Sequence, residues 1–187
     1  LLLPIRLVTA YLNTKPDGVN QEGSTSSAPS AKGDYPLHFA VADGNDAEID
    51  RLLGEGHDIN LNSPLSTPLC IAAAAGRPSV ITHLILKGAD PNQQDFMGWR
   101  PLHHAIYYKR ANLEAIAALV RNGADINGKD KHLRTPLHRA AQFGHADAVR
   151  LLLSLGAQPN ARDENGLTPF ERADKQPEIQ EILRTMR

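Results

Sequence analysis

Thr135-Pro136-Leu137-His138-Arg139-Ala140-Ala141 is a stretch that this chain writes several times over. Tyr35-Pro36-Leu37-His38, Thr67-Pro68-Leu69-Cys70, Arg100-Pro101-Leu102-His103 and Thr168-Pro169-Phe170-Glu171 are the other copies, and their prolines lie 32, 33, 35 and 33 residues apart. A second landmark keeps the same phase: Gly56-His57-Asp58-Ile59-Asn60, Gly88-Ala89-Asp90-Pro91-Asn92, Gly123-Ala124-Asp125-Ile126-Asn127 and Gly156-Ala157-Gln158-Pro159-Asn160. Two unrelated motifs locked to one period near 33 residues define a repeat protein.

The chemistry of one copy explains its spelling. Thr135 suits a helix N-cap, and Pro136 suits the first turn, where a missing N–H costs nothing. Leu137, Ala140 and Ala141 then give a short helix with a small-residue face, which Gly144 ends. A second helix carries Val149, Leu152 and Leu153 at helical spacing and stops at Gly156, a natural residue beyond a helix C-cap. Asn160, Asp163 and Gly166 are turn formers leading into the next Thr-Pro. Two helices of about ten residues cannot bury their apolar faces alone, so the units must stack.

On these residues the chain resembles the ankyrin-repeat family. Its pattern, Asp-x-x-Gly-x-Thr-Pro-Leu-His-x-Ala-Ala-x-x-Gly-His, is met almost fully from Asp130 to His145, and the resemblance covers roughly residues 33–187. It implies an all-α fold, an ankyrin-repeat solenoid of about five helix-turn-helix repeats with protruding β-turn or hairpin loops.

Composition fits that reading. Of 187 residues 41% are apolar but only 5% aromatic, as suits helices packed through Ala and Leu. A formal charge of −1 gives no global field towards nucleic acid or an anionic membrane. Cys70 is the single cysteine, which excludes an internal disulfide, and no apolar run is long enough to span a bilayer. The first residue is Leu rather than Met, so a fragment or a processed product is expected.

Residues 1–12 form an apolar N-terminal segment, read as an element that docks on the body or belongs to a preceding one. The alternative, a secretory remnant, lacks a basic start and a small-x-small cleavage site. A cytoplasmic location is favoured, and a secreted or periplasmic one follows only from that alternative. Residues 13–33, rich in Ser, Gly, Pro and polar side chains, read as a flexible linker. The ankyrin-repeat domain is expected over 34–187, with repeats at about 34–62, 63–95, 96–130, 131–163 and 164–187, the last a C-terminal cap. The Pro-to-Gly distance is 20 residues in repeats one, two and four but 22 in repeat three (101 to 123), and the excess falls within Tyr107–Asn112.

No constellation predicts catalysis, a cofactor or a metal. His38, His103 and His138 recur at one repeat position, but equivalent helices lie about 8–10 Å apart, whereas zinc requires each nitrogen within about 2.0–2.1 Å. Each ring is expected to satisfy backbone groups at its own turn. Cys70 fills the same slot between His38 and His103, yet that spacing argues against contact and no orienting acid accompanies it, so it reads as a buried thiol. Asp58, Asp90, Asp95, Asp125, Asp130 and Asp163 fall where carboxylates bond local backbone. The Asp-Ile-Asn ends at Asn60 and Asn127 also resemble sites of an asparaginyl hydroxylase that acts on ankyrin repeats.

The expected function is non-catalytic: a monomeric protein-protein interaction module that binds a protein partner through a concave face centred on repeats three and four. The family resemblance implies which positions are exposed and variable. In repeat three these are Phe96, Met97, Trp99, Tyr107 and Tyr108, joined by Arg110, and in repeat four Lys131, His132, Arg134 and Phe143. Trp, Tyr and Arg dominate binding hot spots. The competing reading folds Tyr107 and Tyr108 over Trp99 as a local minicore. Other readings are a recruiting domain of a larger enzyme or effector, and an inhibitory module whose groove its own N-terminal arm fills. Nucleic acid, disfavoured by charge, would require Arg100, Lys109, Arg110, Lys129, Lys131, Arg134 and Arg139.

Overall fold

The computed structural model of the chain describes residues 35–64, 66–107 and 110–185. The segments 1–12 and 13–33 and the residue Tyr108 therefore lie outside the described residues. Among these the chain forms helices in pairs: α1 (Pro36–Asp43) with α2 (Asp46–Gly54), α3 (Pro68–Ala75) with α4 (Pro78–Leu86), α5 (Pro101–His104) with α6 (Leu113–Arg121), α7 (Pro136–Phe143) with α8 (Ala146–Ser154), and α9 (Pro169–Arg172) with α10 (Pro177–Thr185). Each inner helix starts on its Pro. Thr67 and Thr168 accept the cap hydrogen bond from Cys70 N and Glu171 N. Inner helices α1, α3 and α7 end at Gly44, Gly76 and Gly144, whose φ values of 70°, 68° and 75° are left-handed and favour glycine.

Inner helices pack in a row, α1 on α3, α3 on α5, α7 on α9, and the outer helices form a second layer in which α4 lies against α6 and α8 against α10. Leu37, Leu69, Leu102 and Leu137 from the inner layer meet Ile49, Leu52, Ile81, Leu84, Ile116, Leu119 and Leu152 from the outer one, all buried. Fully buried alanines (Ala72, Ala105, Ala140, Ala141) let the inner helices approach closely. This is the stack of paired helices that the spacing predicts.

Repeat three departs from its neighbours where the two extra residues lie. Its inner helix α5 has a single turn, and the chain then forms a small antiparallel hairpin, β1 (Ile106–Tyr107) with β2 (Arg110–Ala111), pairing Ile106 with Ala111 and Tyr107 with Arg110. Asn112 N closes it on Ala105 O at 2.8 Å. The hairpin replaces the left-handed glycine used by α1, α3 and α7. In repeat two the turn without Asp and Gly is held by a bridge between Ser63 and Ser66, with Ser66 at φ 100°.

Candidate functional site

The protruding turns of repeats three, four and five each hang on an aspartate. Asp95 N donates to Trp99 O, and its Oδ1 accepts from Met97 N and Trp99 N, both at 2.9 Å. Asp130 repeats this with Arg134 O, His132 N and Arg134 N, and Asp163 with Leu167 O, Asn165 N and Leu167 N. The second carboxylate oxygen takes a cation: His104 for Asp95, Arg134 for Asp130 and Arg172 for Asp163. Burial pushes these carboxyls up, but the hydrogen-bonded cations outweigh it and hold all three below the usual range.

With its backbone so fixed, the repeat-three turn presents Phe96 to solvent, 48% exposed, and leaves Met97 half-buried. Trp99 is less free than its position suggests. The Arg139 guanidinium lies 3.7 Å above its ring, and the His104 ring meets it edge-on at 5.3 Å. The same guanidinium lies 5.4 Å from the centroid of the Phe143 ring. Trp99, Arg139 and Phe143 are therefore one cluster spanning repeats three and four.

Arg139 corrects its place among the basic residues that would meet a nucleic acid. It is buried, donates from Nε to Ile106 O at 3.1 Å, and burial lowers its pKa to about 10. Arg100 is half-buried and bonds Lys129 O and Asn92 O. Arg110 reaches back to Ala74 O in repeat two. On the repeat-four turn Lys131 is exposed, Arg134 is paired with Asp130, and His132 pairs with Glu164 at 2.7 Å. Tyr107 is half-buried on β1 and its carbonyl accepts from His145 Nε2 at 2.7 Å. The described ring contacts of Trp99 are with repeat-four Arg139 and with His104.

Sequence reasoning missed Leu133. It occupies the glycine slot of the turn, where Gly98 and Gly166 sit in the neighbouring repeats, and it keeps their left-handed backbone at φ 57° while 47% exposed. Its departure from the Asp-x-x-Gly pattern was the available signal.

The recurring histidines reach beyond their own turns. His103 Nδ1 accepts from Arg100 N and His138 Nδ1 from Thr135 N, so these two rings satisfy their local caps, whereas the buried Nδ1 of His38 has no hydrogen-bond partner among the described residues. The Nε2 of each of the three rings bonds a carbonyl of the following repeat: Ser66 O for His38, Arg134 O for His103 and Leu167 O for His138, at 2.9–3.1 Å. Burial lowers the pKa of all three, His103 to about 3. These rings are neutral tethers between repeats.

Cys70 also needs correction. It meets His104 rather than His103, and an orienting acid is present after all, since His104 Nε2 lies 2.8 Å from Asp95 Oδ2, which Ser66 Oγ also contacts at 3.0 Å. Burial works against a charged His104, yet the Cys70 sulfur and the Asp95 carboxylate carry its pKa up to about 9. Cys70, His104 and Asp95 are all buried. The trio is a closed ion-pair network joining repeats two and three, with Trp99 as its outer wall.

Among known proteins, the family described as "Ankyrin repeats" matches the chain in three overlapping copies, at residues 6–95, 37–130 and 69–163. The first begins ahead of the domain start expected at residue 34. The chain is similar to the mitochondrial disaggregase of Bos taurus, 34% identical over 169 residues, which cover 86% of this chain and 24% of that protein. It is 33% identical over 147 residues to the E3 ubiquitin-protein ligase KEG of Arabidopsis thaliana, covering 72% of this chain and 9% of the ligase. Protein phosphatase 1 regulatory subunit 27 of Homo sapiens is 38% identical over 86 residues, 46% of this chain and 53% of the relative. The chain thus spans a quarter or less of the first two relatives.

Proposed function

The chain belongs to the ankyrin-repeat family, and from that premise we infer that it binds a protein partner through the turn tips and inner-helix surface of repeats three and four, without catalysing a reaction there. Ankyrin repeats generally mediate protein-protein interaction. The observation that carries the finer reading is the pair of apolar side chains at adjacent tips, Phe96 and Leu133, each nearly half exposed. A left-handed leucine is strained relative to glycine, and strain kept at an exposed position points to use of the side chain. Between and behind these tips, Trp99, Arg139 and Phe143 supply a rigid aromatic and cationic floor, and Lys131 adds an exposed charge at the rim. A rigid, partly desolvated aromatic centre with a polar rim is the anatomy of a binding hot spot.

The test uses a partner isolated with the 187-residue chain. Phe96→Ser and Leu133→Gly should each weaken its binding at least tenfold, while Leu155→Ser on the outer layer leaves binding unchanged. Equal loss in all three, or in none, removes the repeat-three and repeat-four surface from consideration. The small share of the disaggregase and the ligase that the chain covers also supports a second reading. On it, this module recruits partners for a larger protein; a longer chain whose activity on its partner fails with Phe96→Ser would support it.

A further inference from the structure

The outer layer carries a second surface, on the side of the stack away from Phe96 and Trp99. A trough of about 930 Å³ runs along α6, with Leu113, Ala117 and Ala118 as its floor, Pro78 and Thr82 of α4 on one side and Leu151 of α8 on the other. It exists because α6 places alanines at positions where α4 has Thr82 and His83 and α8 has Arg150 and Leu151. Moreover, α6 lies against α4 but stands off from α8. The nine residues from Leu113 to Arg121 make the floor about 14 Å long, some two and a half helical turns.

Two exposed charges of opposite sign close its ends. Glu114 sits in the first turn of α6 and Arg121 in its last, and both line the trough. Among the described residues neither enters an ion pair. They are seven residues, two turns, apart and so share one face of the helix. Each suits the dipole of α6, but together, across an apolar floor of small side chains, they also specify a ligand.

We propose that this trough binds an amphipathic helix of a protein partner, running antiparallel to α6, with an acidic first turn beside Arg121 and a basic last turn beside Glu114. A helix fits because the floor has helical length and small side chains that admit the Leu-sized ridges of a partner at i, i+3 and i+7. The antiparallel direction is selected twice. It brings opposite charges together at both ends, and the partner's own dipole favours acid at its N-terminus and base at its C-terminus.

The probe is a labelled 15-residue helical peptide with Glu in its first turn, Leu at i, i+3, i+7 and i+10, and Lys in its last turn, titrated into the 187-residue chain and read by fluorescence anisotropy. A mirror peptide exchanges its Glu and Lys. The first peptide should bind about tenfold more tightly than the mirror at low salt, and the gap should narrow as salt screens it. The double variant Glu114→Lys with Arg121→Glu should invert the preference, and Ala117→Arg should abolish binding of both while the circular dichroism melt stays in place. Equal affinity for the two peptides, or a preference unchanged by the charge exchange, overturns the proposal. So does absence of binding to the wild-type chain. It is likewise overturned if deleting residues 1–12 is needed for either peptide to bind, which would give the trough to that segment, or if sedimentation shows a dimer that Ala117→Arg dissolves, which would give it to a second copy. The surface around Phe96 and Leu133 is untouched by these variants, so failure here leaves the reading of that surface standing.

Discussion

Leu133 shows how one side chain can serve stability and function in opposite directions. A left-handed backbone costs a non-glycine residue about 1–2 kcal/mol, so Leu133→Gly should raise stability by roughly 0.5–1 kcal/mol while weakening partner binding. Urea denaturation and a binding titration on the same variant check both signs, and a variant that loses stability would show that Leu133 packs rather than presents itself. Its neighbour Trp99 marks how far the site was legible in the sequence. The family resemblance places Trp99 at an exposed position of the turn, and Asp95 does build that turn. What register cannot show is that Arg139, one repeat further on, lies over the ring, or that His104 meets its edge. The Arg139 contact comes from the stacking of repeats, which brings a residue 40 positions away over the ring, whereas the His104 contact lies within repeat three, five positions along. Cys70 misleads for the same reason: its in-register counterpart is His103, but the neighbouring ring of His104 turns towards the sulfur.

At the scale of elements, the spelling of each repeat fixes nearly every helix, because Thr-Pro starts, Gly stops and period-3.6 apolar residues recur in phase. The hairpin β1–β2 was not legible. An excess of two residues in Tyr107–Asn112 is compatible with a longer helix or a wider turn, and the choice falls to partners outside the segment. Arg139 Nε bonds Ile106 O and His145 Nε2 bonds Tyr107 O, so repeat four holds the hairpin of repeat three from beneath. Replacing Arg139 with Ala removes the hydrogen bond and the contact with Trp99 and should cost about 2 kcal/mol or more. Arg139→Lys should recover little of it, since an ammonium lacks the planar fork that stacks on Trp99 while its edge donates to Ile106. Equilibrium unfolding of the two variants settles the point: equal recovery by Lys would mean that only the positive charge matters. His145→Ala, which frees only the second strand carbonyl, is expected to cost less, about 1 kcal/mol.

Across the whole molecule, repeats are joined by two ladders, one of which titrates. Asn60, Asn92 and Asn127 accept from Asp90 N, Asp125 N and Gln158 N of the next repeat, and these amides do not respond to pH. The histidine tethers do. His38, His103 and His138 are held below their ordinary pKa by burial, so between their folded values and about 6.5 the unfolded chain binds more protons than the folded one. Their contribution is present above pH 6.5 and drains away as pH falls below it. His104 has the opposite sign: raised to about 9, it contributes fully below pH 6.5 and loses that contribution as pH climbs through 9. The paired carboxylates Asp95, Asp130 and Asp163, all lowered, add a further loss only at more acid pH, below the usual carboxylate range. The melting temperature should therefore peak near pH 6.5–7 and fall on both sides for different reasons. His104→Gln should flatten the alkaline side and leave the acid side intact, whereas His138→Gln should soften the acid side alone. A melting temperature that still drops between pH 7 and 9 in His104→Gln would mean that His104 is not the proton lost there, and that the network of Cys70, His104 and Asp95 is neutral in the folded chain.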